Sequence, residues 1–202
     1  MSHDYTVEEL LTLLVPPNFI EDLVKFVLPP EFILARVVPT VRELVYGYHH
    51  GWVDDEGAVR LAEAQYALGM QQTPSVEDVA LLLRDERYNV ERLMHAAVTE
   101  LEAENVGYEG EEPWRLWLYL ALAWMYDHRS NYEDPLTMIQ MLSADFWEPD
   151  EIRNLIIWVS KNEGEVAKVV QNWQDYVSAK GTEYADRTAR FADGEWTPTN
   201  GG

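Results

Sequence analysis

Between Trp114 and His128 the chain would be apolar around nearly the whole circumference of a helix. Trp114, Leu116, Trp117, Leu118, Tyr119, Leu120, Leu122, Trp124, Met125 and Tyr126 leave almost no polar face. Such a helix must be covered on all sides, so this stretch predicts the buried centre of a bundle. Its longest apolar run, Leu116 to Tyr126, is far shorter than the roughly 20 residues of a bilayer span. A protein core, not a membrane, is therefore the expected environment.

The remaining apolar residues recur at helical spacing. Val7, Leu10, Leu11 and Leu14 follow i, i+3, i+4, i+7, as do Ile20, Leu23, Val24 and Val27, and Val41, Leu44, Val45 and Tyr48. Val90, Leu93, Met94, Ala97, Val98 and Leu101 extend the pattern over three turns, and Val166, Val169, Val170, Trp173 and Val177 repeat it. Start signals agree: Thr6 with Glu9, Asn18 with Glu21, Thr40 with Glu43 and, more weakly, Ser75 with Asp78 place a capping oxygen three residues before an acid. Pro135 behind Asp134 reads as a first-turn proline behind its cap. No alternating run flanked by hairpin turns occurs. These signals predict an all-α domain over 1–193, with nine or ten helices of 8 to 18 residues and a flexible tail over 194–202. The stretch Asn105–Glu112 is expected to be a loop, and a two-lobe hinge there is compatible with the pattern.

Charge separates the function classes. The 202 residues hold 36 acids against 15 Lys and Arg, a net charge of −21. The excess is local: residues 100–151 hold 13 acids and two bases, whereas 152–202 are nearly balanced. So negative a chain disfavours nucleic-acid binding, which needs a basic face to neutralise phosphates. It favours encounter with a basic partner. The absence of Cys excludes disulfides, thiolate metal sites and Cys nucleophiles. The acidic N-terminus has no basic, apolar leader pattern, so a cytoplasmic location is expected.

Catalytic patterns are absent. There is no G-x-G-x-x-G, G-K-[ST], G-x-S-x-G or HExxH. His49 and His50 are adjacent and point to different sides of a helix, so they form no i, i+4 metal pair. Asp54-Asp55-Glu56-Gly57 lacks the spacing of a calcium loop. Glu100 and Glu104 at i, i+4 could share a divalent cation, but no Glu-x-x-His motif completes a di-iron site. No enzyme activity, cofactor or metal is expected. The expected partner-binding residues are Glu102, Glu104, Glu109, Glu111, Glu112, Glu133, Asp134, Asp145, Glu148, Asp150 and Glu151, with Tyr132 or Trp147 as an aromatic anchor among the acids.

From Trp117 to Ile152 the chain reads WLYLALAWMYDHRSNYEDPLTMIQMLSADFWEPDEI. The marks Trp117-Leu118-Tyr119, Glu133-Asp134-Pro135-Leu136, Ala144-Asp145-Phe146 and Pro149 followed by Glu151-Ile152 resemble a bacterial family of small acidic helical proteins, a domain of unknown function. Tyr46-Gly47-Tyr48 and Gly51-Trp52-Val53 are similar to it too. Some members accompany polymorphic toxins and are taken as their immunity proteins. The resemblance implies a non-enzymatic inhibitor that occludes a basic toxin domain; were that toxin a nuclease, the acids would mimic phosphates. Two alternatives stay open: a DNA-mimic or anti-restriction regulator, and an enzyme with a carboxylate or metal site near Glu100, Glu104 or His128.

Overall fold

The computed structural model describes residues 26–103, 112–156 and 163–193. The helix read over 7–14, most of that over 20–27, the loop over 105–111 and the tail from Gly194 lie outside these residues. Among the described residues there are eight α-helices and no strand: α1 Pro30–Leu34, α2 Val41–His49, α3 Asp55–Ala67, α4 Pro74–Ala80, α5 Val90–Ala103, α6 Pro113–Asp127, α7 Pro135–Asp145 and α8 Glu163–Ala192. Short 3-10 helices lie at Arg84–Asn89, Arg129–Asn131 and Asp150–Leu155.

Local chemistry starts these helices. Thr40 and Glu43 form the expected capping box on α2: Thr40 N donates to Glu43 Oε2 at 2.7 Å, and Glu43 N donates to Thr40 Oγ1. Asp134 caps α7 through Thr137 N at 3.1 Å, with Pro135 in the first turn. At α4 the cap is Thr73, not Ser75. Ser75 lies inside the first turn, where its N and Oγ donate to Glu100 of α5 at 2.9 and 2.6 Å. Glu100 thus anchors α4 to α5. Burial opposes ionisation of its carboxyl, but the bonds from Ser75 and Thr73 outweigh it and hold the group below its ordinary range.

Helix α6 forms the predicted buried rod: Leu116 to Ala123 and Met125 are all buried. Among the described helices α2 and α8, and less closely α7, pack on it, while α3, α4 and α5 pack on one another and α3 and α5 also on α2. Helix α2 therefore touches both groups. It can approach α6 closely because Gly47 faces the Trp117 indole, whose Nε1 donates to Glu43 O at 2.8 Å. On the far side, Trp173 Nε1 of α8 donates to Leu122 O at 3.1 Å. The two indoles cross-brace α6 to its neighbours, and the buried residues form one cluster.

Helix α8 departs from the expected lengths. It runs 30 residues, although its apolar spacing fades after Val177. Gly181 lets it pass close to the Tyr119 hydroxyl, and Tyr184 and Phe191 are buried beyond that point. Arg187 meets Glu43 bidentately at 2.8 and 2.9 Å. Side-chain exposures of 14% and 4% make this a buried ion pair. Val38 N donates to Thr188 Oγ1. These polar attachments carry the helix past the end of its hydrophobic stripe.

Candidate functional site

The expected site residues divide into separate places. Glu102 lies exposed on the last turn of α5. Burial pushes its carboxyl up, and the nearby Arg42 guanidinium opposes that shift. Glu104, Glu109 and Glu111 lie outside the described residues. Tyr132, Glu133 and Asp134 lie at the start of α7, and Asp145, Trp147, Glu148, Asp150 and Glu151 at or beyond its end. The eleven-residue helix, which ends on Asp145, carries the two groups apart, about 16 Å along its axis.

Several expected ligands are occupied within the fold. Asp134 serves its cap. Glu151 accepts from Arg115 at 2.8 Å and from the Tyr176 hydroxyl at 3.1 Å. Asp150 pairs with Arg153. Tyr132 is half-buried; burial raises its hydroxyl above the ordinary range, and a hydrogen bond with Trp124 opposes this.

Glu112, Trp147, Glu148 and Asp150 remain exposed at one end of the α6–α7 hairpin. They gather there because the Trp114 ring lies 6.3 Å from Phe146. Trp147 is 59% exposed. Its backbone is left-handed at φ 57°, and that of Glu148 follows at φ 52°. Trp147 N donates to Ala144 O, and Glu148 N donates to Ser143 O at 2.8 Å, which closes a Schellman turn. The same turn ends α2: Gly51 N donates to Tyr48 O and Trp52 N to Gly47 O, and there glycine takes the left-handed position at φ 71°. Glycine suits that position because it has no Cβ to clash. A tryptophan there costs about 1–2 kcal/mol.

A second feature was not apparent in the linear motifs. A cleft of about 710 Å³ opens between the end of α2, the start of α3 and the first turns of α5. Carboxylates of Asp54, Asp55, Glu56 and Glu91 line it against one guanidinium, Arg87. The Tyr48 hydroxyl donates to Asp55 Oδ1 at 2.8 Å. Burial and then Asp55 raise that hydroxyl above its ordinary range. Glu56 pairs with Arg87 at 3.5 Å, and Asp54 Oδ1 accepts from Gly57 N as the cap of α3. His49 and His95 stand edge to face, ring centres 4.9 Å apart. Among the described residues no group of three or more His, Cys, Asp or Glu is arranged to hold a metal.

His49 Nε2 lies 3.3 Å from Met94 O. Donation to that carbonyl fixes the tautomer and leaves Nδ1 as an acceptor. Burial lowers the His49 pKa, and the neighbouring His95 and His50 lower it further against the Met94 bond. The unfolded chain therefore takes up a proton at this group before the folded chain does. The associated stability is present above about pH 6.5 and is lost as pH falls through the lower, folded value. Urea midpoints measured from pH 8 down to pH 5 are expected to fall in that window, at no more than about 1.4 kcal/mol per pH unit from this one proton. In H49Q, whose amide retains a donor, that part of the slope should vanish; an unchanged slope would assign it to other groups.

No described helix is long and apolar enough to cross a membrane. Residues 30–181 match a family model described as an uncharacterized protein conserved in bacteria, DUF2247. No curated protein and no solved structure matches the chain. The matched span holds both the cleft and the Trp147 turn.

Proposed function

The chain belongs to this bacterial family, DUF2247, and from that premise we propose that it is a non-enzymatic inhibitor of a basic protein, bound through the acidic end around Trp147. The observation that carries this reading is the Trp147–Glu148 turn. Two consecutive residues with side chains hold left-handed backbone where the equivalent turn of α2 uses glycine. Strain of this kind clusters at functional positions. Its result is a large aromatic side chain presented to solvent between the exposed Glu148, Asp150 and Glu112. An aromatic anchor ringed by charge is a common hot-spot arrangement.

In this reading the acids steer a basic partner, and Trp147 enters an apolar slot on it. Steering of this kind raises association to about 10⁸–10⁹ M⁻¹s⁻¹ at low salt. The resemblance to a family in which some members are taken as immunity proteins supports a toxin domain as the partner, neutralised by occlusion in the bacterial cytoplasm without any cofactor. If the toxin is a nuclease, the carboxylates stand where phosphates would bind.

Co-expression with the product of the adjacent gene tests the reading, which requires that product to carry a toxin domain. Growth should be rescued by the wild-type chain and lost with E148K/D150K; absence of rescue by the wild type rejects the proposal. W147G provides the sharper comparison. It relieves the left-handed strain, so thermal stability should be retained or raised by up to about 1 kcal/mol. Affinity for the partner should fall at least about tenfold, as for a hot-spot anchor. A variant that is less stable and binds equally well would make Trp147 a packing residue.

A further inference from the structure

Six large apolar side chains are prominently exposed among the described residues, and three of them fall in the connector between α4 and α5: Leu81 at 58%, Leu83 at 65% and Tyr88 at 80%. Burying such groups is the default in a folded chain, and their concentration in one short segment marks an interaction surface. The connector is also a wall of the cleft. Its 3-10 helix Arg84–Asn89 places Arg87 in the cleft, and Glu91 follows in the first turn of α5. The connector thus carries Arg87 into the cleft that Asp54, Asp55, Glu56 and Glu91 also line, and Tyr88 directly follows Arg87. In these contacts Asp54, Asp55 and Glu56 each engage one carboxylate oxygen, with Gly57 N, the Tyr48 hydroxyl and Arg87 respectively.

The cleft and the Trp147 turn are linked through the core, where Trp52 and Phe146 are both buried. Trp52 and Phe146 stack with ring centres 5.6 Å apart. Val53 and Asp54 of the cleft directly follow one ring, and Trp147 directly follows the other.

We propose that the 81–88 connector and the cleft beside it dock a basic amphipathic segment of a protein partner. Apolar side chains of that segment cover Leu81, Leu83 and Tyr88, and its Lys or Arg side chains enter the cleft. Charge complementarity selects this occupant. A second copy of the chain would bring like charges together, since each carries −21. The proposal rests on the basic-partner reading only for the chemistry of the partner, not on Trp147.

The probes are two short synthetic peptides, one of Lys and Leu with an amphipathic helical pattern, the other its Ser-for-Leu counterpart of equal charge. Amide and imidazole shifts of the full chain are followed by NMR during titration. Shifts are expected to cluster at 48–56 and 81–95, with His49 and His95 among the reporters. The Leu peptide should bind about tenfold more tightly than the Ser peptide at equal salt, the effect of roughly 1.4 kcal/mol of apolar contact. That preference should disappear in L83S/Y88S, while D55N and E91Q should weaken both peptides and flatten their salt dependence.

Equal binding of the two peptides would overturn the proposal. So would shifts centred on 112 and 147–150, or self-association abolished by L83S/Y88S, which would make the patch an interface between copies. Failure of the toxin reading is read separately, from absent growth rescue and from W147G. Neither result alters the peptide map.

Discussion

Replacement of Gly47 by Ala should destabilise the chain by about 3–5 kcal/mol. A Cβ at this position would lie 1.9 Å from Trp117 Cζ2, 2.2 Å from Cε2 and 2.6 Å from Cη2. No real contact survives at those distances. The indole is fully buried, so it cannot swing into solvent. Moving it strands its Nε1–H, which now donates to Glu43 O. Helix propensity acts in the opposite direction, since Ala is favoured over Gly in a helix by about 1 kcal/mol. A net loss therefore isolates the clash. Because whole domains are stable by only about 5–15 kcal/mol, much of the folded population could be lost. Urea unfolding measures the change, and G47A/W117L should recover part of it by removing the ring. A loss below about 1 kcal/mol for the single variant would mean that α2 and α6 separate without penalty.

The second large effect is at Arg187. In R187A the Glu43 carboxylate remains buried without its counter-charge, and breaking such a pair costs about 3–5 kcal/mol. The loss should be spatially graded. Trp173 still ties the first half of α8 to Leu122 O. The second half, beyond Gly181, would retain Tyr184, Thr188 and Phe191 among its attachments. Hydrogen exchange should therefore accelerate over 181–192 while the protection around Trp173 persists. E43M/R187M offers a control, because replacing both charges by apolar groups of similar length often restores stability. Uniform exchange along α8 in R187A would show that the helix is held elsewhere.

Much of the scaffold was legible as pattern. The buried face of α5 consists of the six residues marked by their spacing, Val90, Leu93, Met94, Ala97, Val98 and Leu101. The apolar circumference of α6 and the caps at Thr40 and Asp134 also appear as read. The family-like marks turn out to be joints of the fold. Gly47 meets Trp117, Gly51 closes the end of α2, Trp52 stacks on Phe146, and Glu151 pairs with Arg115. These contacts account for the marks without invoking chemistry.

What was not legible depends on long separation. The end of α8 is fastened by an ion pair whose partners stand 144 residues apart, and no periodicity signals it. Ser75 resembles a cap locally, yet its hydroxyl serves Glu100 across a helix interface. The cleft unites His49 with His95 and Tyr48 with Asp55, residues whose linear spacing matches no ligand motif. By type and neighbourhood the sequence offers Trp147 or Tyr132 as a candidate anchor. The left-handed backbone of Trp147 could not be read, because tryptophan carries no signal for that conformation.

The ion pair between α2 and α8 has a further consequence during biosynthesis. Chains emerge from the ribosome at about 5–20 residues per second, N-terminal segments first. Glu43 is therefore made on the order of 10 s before Arg187, 144 residues later. During that interval the Glu43 carboxylate has no Arg187 to meet, so the α2–α8 joint cannot close. Closure of that joint then waits for α8 to be made.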